Sequence, residues 1–94
     1  MYVPKTNAIS NVAIYVYPNP VSTTLNLVIN NGANKQGSYN ITITNNTGLK
    51  IKTATTSQPE WSSYIGNLLP GNYFIQVINN NDNTVVGSNK FVKL

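Results

Sequence analysis

Few side chains in this sequence could do chemistry. The 94 residues hold two carboxylates, Glu60 and Asp82, and six lysines; there is no histidine, cysteine or arginine. Without histidine the chain lacks the usual general base and neutral-pH proton switch, and without cysteine it also lacks a thiolate nucleophile. Glycoside hydrolysis needs two carboxyl groups roughly 5–10 Å apart. Glu60 and Asp82 are each flanked by turn residues in different loops. The stretch Asn79-Asn80-Asn81-Asp82-Asn83 offers carbonyl oxygens to a calcium ion, but tight calcium sites collect several carboxylates and this one has a single aspartate. The expectation is therefore a protein that is not an enzyme, with no metal site and no cofactor, and Asn79–Asn83 reads as a hairpin loop.

The formal charge of +4 and a pI near 9.5 raise nucleic acid as a partner. The six lysines are scattered singly or in loose pairs, and without arginine there is no planar fork for phosphates or guanine edges, so no nucleic acid is expected. No apolar run approaches the ~20 residues that span a bilayer, so no membrane insertion is expected. The start, Met1-Tyr2-Val3-Pro4-Lys5, lacks the apolar region and cleavage site of a signal peptide. The chain is then either cytoplasmic or part of a larger exported protein, and composition does not choose between these. Among the aromatic residues, Trp61 has two readings. It covers an open end of a thin core, or with Tyr2, Tyr15 and Tyr64 it offers rings on which a sugar stacks. Asn40-Ile41-Thr42 and Asn45-Asn46-Thr47 match the glycosylation pattern, which an asparagine-rich chain produces by chance.

Whatever site exists must be positioned by strands. Leu25, Leu27 and Ile29 alternate with Thr24, Asn26 and, less cleanly, Val28. Tyr39, Ile41 and Ile43 alternate with polar residues, as do Leu49 and Ile51 with Lys50 and Lys52. Tyr73, Ile75 and Val77 alternate with Asn72, Gln76 and the less tidy Phe74 and Ile78. This is the period of two of half-buried strands, rich in β-branched and aromatic residues. Turn chemistry separates the runs: Asn30-Asn31-Gly32, Asn46-Thr47-Gly48, and Leu69-Pro70-Gly71. The pattern predicts strands at 13–17, 24–30, 39–45, 49–55, 62–65, 72–79 and 85–94. The fold class is thus all-β, an immunoglobulin-like antiparallel β-sandwich of about seven strands. Residues 1–11 read as a linker or tail and 12–94 as one domain. A chain this short buries roughly 60–70% of its unfolded surface, enough for one thin core. Only 9% of residues are charged, so asparagine, serine and threonine supply the solvent-facing surface.

Three motifs stand in order along this frame. Tyr17-Pro18-Asn19-Pro20 follows the first strand. Leu68-Leu69-Pro70-Gly71-Asn72-Tyr73-Phe74-Ile75 leads into the sixth. Lys90-Phe91-Val92-Lys93-Leu94 ends the chain. Together with Thr47-Gly48-Leu49-Lys50-Ile51 they resemble the type A C-terminal sorting domain of the type IX secretion system of Bacteroidetes, over about Val12 to Leu94. Many relatives place lysine directly after the glycine, where this chain has Leu49-Lys50.

Each motif also has a purely structural reading. Two prolines stop a strand and protect its edge, Gly71 and Tyr73 make a turn and a core aromatic, and alternating lysines keep a terminal edge strand from aggregating. On this reading Tyr17, Pro18, Asn19, Pro20, Gly48, Leu68, Gly71 and Tyr73 shape the domain. Lys90, Phe91, Val92, Lys93 and Leu94 are the segment offered to a partner, possible by strand addition, and removable at little cost to the core. The resemblance implies a signal that directs a larger cargo across the outer membrane. It implies a domain recognised as a folded unit by an outer-membrane shuttle and a sortase-like protease, and usually cleaved off. The precursor would be periplasmic in transit and then secreted or at the cell surface. The alternatives are a carbohydrate-binding sandwich module and a structural spacer domain.

Overall fold

A computed structural model describes residues 14–30, 38–81 and 83–94. The expectations placed on residues 1–13, on Asn31-Gly32 and on Asp82 lie outside the described residues. Seven strands follow in order: β1 (Ile14–Tyr17), β2 (Thr24–Ile29), β3 (Tyr39–Asn45), β4 (Lys50–Thr56), β5 (Glu60–Tyr64), β6 (Gly71–Asn79) and β7 (Thr84–Lys93). They form two antiparallel sheets packed face to face, one of three strands in the order β1-β2-β5 and one of four in the order β4-β3-β6-β7. The all-β sandwich expected from the periodicity is the architecture observed. The fourth strand pairs with the third rather than extending the three-stranded sheet.

The alternating residues meet between the sheets. Ile14, Leu25, Leu27 and Ile29 of one sheet face Tyr39, Ile41, Ile43, Tyr73, Ile75, Val77 and Phe91 of the other, all buried. Ile43, Ile75 and Leu25 have no exposed surface. The register puts like with like across the four-stranded sheet, where Ile43 lies opposite Ile75 and Ile41 opposite Val77. Such cross-strand apolar pairs are the unit of sheet stabilisation. Trp61 lies opposite Leu27 on the inward side of β5 and packs half-buried against the core.

One run departs from the expected alternation. Leu49 was expected to point inward with Ile51, but it lies in the turn before β4 and is 62% exposed. A register shift is the cause. Ile43 pairs with Lys52 and Thr44 with Lys50, leaving Ile51 without an opposite residue. An extra residue on one strand of a pair breaks the period of two, so Ile51 is only half-buried and the inward register passes to Lys52 and Ala54.

The described residues of the Asn79–Asn83 loop are held by hydrogen bonds among themselves and to Ser38. Asn79 is buried, its side-chain oxygen accepts the Asn81 amide at 2.8 Å, and its carbonyl accepts the Asn83 amide at 2.7 Å. Asn80 donates its backbone amide to the Ser38 carbonyl and its side-chain amide to Ser38 Oγ. Asparagine side chains bonding to nearby backbone and to Ser38 hold the described residues of this turn.

Ile75→Ala should lower the stability to urea by about 2–5 kcal/mol, the usual cost of truncating a fully buried large aliphatic. Leu49→Ala should leave the unfolding midpoint almost unchanged. A comparable loss from Leu49→Ala would place that side chain in the core after all.

Candidate functional site where the motif segments meet

The turn after β1 and the last residues of the chain lie some seventy positions apart and touch directly. The terminal segment of β7 pairs with β6 on one side, Phe91 opposite Tyr73 and Lys93 opposite Gly71. On its other side the backbone groups of residues 90, 92 and 94 point away from the sheet. Four hydrogen bonds from the Asn19–Val21 segment fill that edge. Asn19 donates its side-chain amide to the Lys90 carbonyl at 3.3 Å, and its side-chain oxygen accepts the Val92 amide at 2.9 Å. The Val21 amide donates to the Val92 carbonyl at 2.8 Å, and the Leu94 amide donates to the Val21 carbonyl at 2.9 Å. Val21 and Lys93 thus form a single parallel bridge.

Sequence explains why the side chain of Asn19 is needed. Pro18 and Pro20 carry no N–H, so between Tyr17 and Val21 only Asn19 can supply donors. Its carboxamide, one donor group and one acceptor, replaces a peptide unit. Both Tyr17-Pro18 and Asn19-Pro20 are cis. Upstream, Asn26 donates to the Tyr17 carbonyl at 3.2 Å and accepts from Ser62 Oγ at 2.8 Å, tying the start of the turn to β2 and β5.

The other two segments close the same end. Gly71 begins β6 at φ +151°, in a region that favours glycine, with open space where a Cβ would stand. Two residues on, the buried Tyr73 donates its hydroxyl to the Leu69 carbonyl at 2.6 Å, closing the Leu-Pro-Gly turn on itself. An equivalent tyrosine corner recurs in immunoglobulin-like sandwiches. The Tyr73 ring stacks on Phe91, with centroids 5.5 Å apart and planes 15° from parallel. Leu68 packs half-buried against the core. Asn45 opposes Tyr73 across β3 and β6 and organises the turn that holds Gly48. Its side-chain oxygen accepts the amides of Thr47 and Leu49 at 2.9 and 3.0 Å while Gly48 takes φ +91°.

All four segments singled out in the sequence therefore converge on one end of the sandwich. The family model described as the secretion system C-terminal sorting domain matches residues 15–93. The chain belongs to this family. It is the sorting domain of type IX secretion, and membership implies a secreted precursor that passes the outer membrane and meets the type IX machinery. This family is not known for enzymatic activity. A search of curated proteins returned no match.

The sorting domain departs from expectation at its last strand. Lys90, Phe91, Val92, Lys93 and Leu94 were expected to form a strand free to accept a partner strand and removable at little cost. Instead the outward backbone groups that strand addition would use at 90–94 are bonded to Asn19 and Val21. Phe91 is 1% exposed and belongs to the core. Lys93 is buried too, its stem among core residues and its ammonium donating to the Leu94 oxygen at 2.8 Å. Only Lys90, Val92 and Leu94 present side chains to solvent. Beside them lies an open groove of about 580 Å³, lined by Asn19, Asn46, Asn72, Phe74, Lys90 and Val92.

Two residues of this region escaped the sequence reading. Val21, with no exposed surface, plugs the end of the core. Its signal was its place as the first residue after the prolines with an N–H to give. Phe74, 41% exposed, was visible as the untidy aromatic on the polar side of its strand. Among the described residues Trp61 does not share a face with Tyr15 and Tyr64, because Trp61 faces the core while those tyrosines are exposed on the opposite face of that sheet; Tyr2 lies outside the described residues.

Asn19→Ala should cost about 1–3 kcal/mol, two hydrogen bonds at roughly 0.5–1.5 each, and should speed hydrogen exchange at the Val92 amide more than at Ile75. Unchanged exchange at Val92 would mean that the Asn19 carboxamide does not hold the strand. Phe91→Ala should be more severe, about 3–5 kcal/mol, through loss of a buried ring.

Proposed function

We propose that residues 12–94 act as a folded, removable address label, with residues 1–11 joining them to a larger cargo. The label meets the machinery in the periplasm as an intact sandwich. An outer-membrane shuttle and a sortase-like protease are its partners, and the protease removes the domain from the exported cargo. The segment read is Lys90–Leu94 in its folded setting, with Lys90, Val92 and Leu94 turned outward and Phe91 and Lys93 as anchors.

One observation carries this reading: the last strand is locked from both sides. To be offered as a loose peptide, Lys90–Leu94 would have to give up four hydrogen bonds to Asn19 and Val21 and withdraw Phe91 from the core. Each such bond is worth about 0.5–1.5 kcal/mol and the ring about 3–5 kcal/mol. The sum rivals the whole stability of a small domain, so the object presented to a receptor is the fold. The motif residues Tyr17, Pro18, Asn19, Pro20, Gly48, Leu68, Gly71 and Tyr73 serve by building that end of it.

The test is a fusion of an export signal and a fluorescent passenger to the full chain, expressed in a host with and without the type IX machinery. The intact fusion should reach the medium or cell surface only with the machinery, and mass spectrometry should find the exported passenger without residues 12–94. Phe91→Ala, if it leaves the domain protease-sensitive, should strand the passenger in the periplasm, while Phe91→Leu should restore both protease resistance and export. Equal export in the two hosts would refute the label. Full export of a protease-sensitive Phe91→Ala fusion would refute recognition of the folded form.

A further inference from the structure

With the edge of β7 closed at its end, what the last strand offers a partner is side chains on a face. The outer face of the four-stranded sheet has an ordered feature there. The registers place Lys50 opposite Thr44, Thr44 opposite Phe74, and Phe74 opposite Lys90. Four residues thus form one row across β4, β3, β6 and β7, with an exposed lysine at each end and a large part-exposed aromatic between them. Phe74 and Val92 line the groove together with Asn19, Asn46 and Asn72, whose amides can donate and accept. Among the described residues the one carboxylate side chain, Glu60, lies on the other sheet.

We propose that this row is a docking surface for an acidic, extended segment of a protein of the secretion machinery; the proposal rests on the address-label reading. Its chemistry follows from the spacing. Adjacent strands are about 4.8 Å apart, so the backbones of Lys50 and Lys90 stand roughly 14 Å apart. An extended chain covers about 13 Å in four residues. The fitting segment therefore carries two carboxylates four residues apart, with an apolar side chain between them to cover Phe74. Lysines at the ends steer and orient such a segment, and burial of Phe74 and Val92 supplies the apolar contact. A membrane surface fits less well. Recognition of anionic lipid relies on clusters of four to eight basic residues, whereas the row on this face has two lysines, of which Lys90 lines the asparagine-bearing groove.

The experiment compares face variants in the export fusion, each checked for protease resistance. The paired Lys50→Glu and Lys90→Glu change should cut export roughly tenfold or more, since opposed charge at an interface repels its partner. Lys50→Arg with Lys90→Arg should export like the parent. Phe74→Ser should also fall, and Thr24→Glu with Gln58→Glu, which adds carboxylates away from this face, should not. Normal export of the folded Glu pair and of Phe74→Ser would overturn the surface, while machinery-dependent export of the parent would leave the address label standing. Failure of the parent itself would remove both. In a second arm the chain is sedimented with phosphatidylethanolamine vesicles with and without phosphatidylglycerol. Binding to the anionic vesicles that is lost in the Glu pair would overturn a protein partner in favour of lipid. No binding to either is the expected result.

Discussion

The structure depends on how the outer edge of the last strand is closed. A strand at the edge of a sheet exposes a row of unpaired donors and acceptors, which natural proteins cover or blunt. In this domain the covering piece is two residues of irregular chain, Asn19 and Val21, delivered from the opposite sheet. That single set of contacts joins the two sheets at one end, seats Val21 over the core and fixes Phe91 against Tyr73. It also joins the two ends of the described sequence, so the terminal strand is structurally complete only when the first turn is in place. Bringing segments this far apart in sequence together costs entropy that grows only slowly with loop length.

Amide chemistry replaces charge throughout. A surface with 9% charged residues has little Coulomb energy to organise its turns, and ion pairs at such positions would contribute little in any case. Asparagines do that work at defined places. Asn45 gathers the amides of the β3–β4 turn, Asn79 those of the β6–β7 turn, Asn26 holds the approach to the prolines, and Asn19 completes the edge. Their side chains imitate peptide groups, which is why they are found where regular pairing stops. Of the described lysines, Lys50 and Lys90 are exposed and share a row on one outer face.

On the proposed reading of the label as a folded unit, this arrangement links identity to integrity. The features by which the family is matched are spread over residues 15–93, yet they meet only in the folded sandwich. A cargo whose tail has misfolded would not present the end at which they converge. On that reading specificity rests on a shape that several distant segments build together and that none can display alone.

Much of this was already legible in the residues. The period of two, with proline, glycine and asparagine between the runs, determined an all-β sandwich and all seven of its strands to within two residues, because burial of one face dictates alternation. The motif order determined the family. Local pattern failed where the outcome rested on register: the β3–β4 shift turned Leu49 out to solvent, and no run of residues states where a bulge falls. It failed again at the last strand. Lys90–Leu94 reads as a free amphipathic edge because sequence shows the alternation of side chains and not what lies beside the backbone. Only the tertiary structure could decide that Asn19 and Val21 fill that edge, since hydrogen bonds between residues seventy positions apart leave no mark on local periodicity.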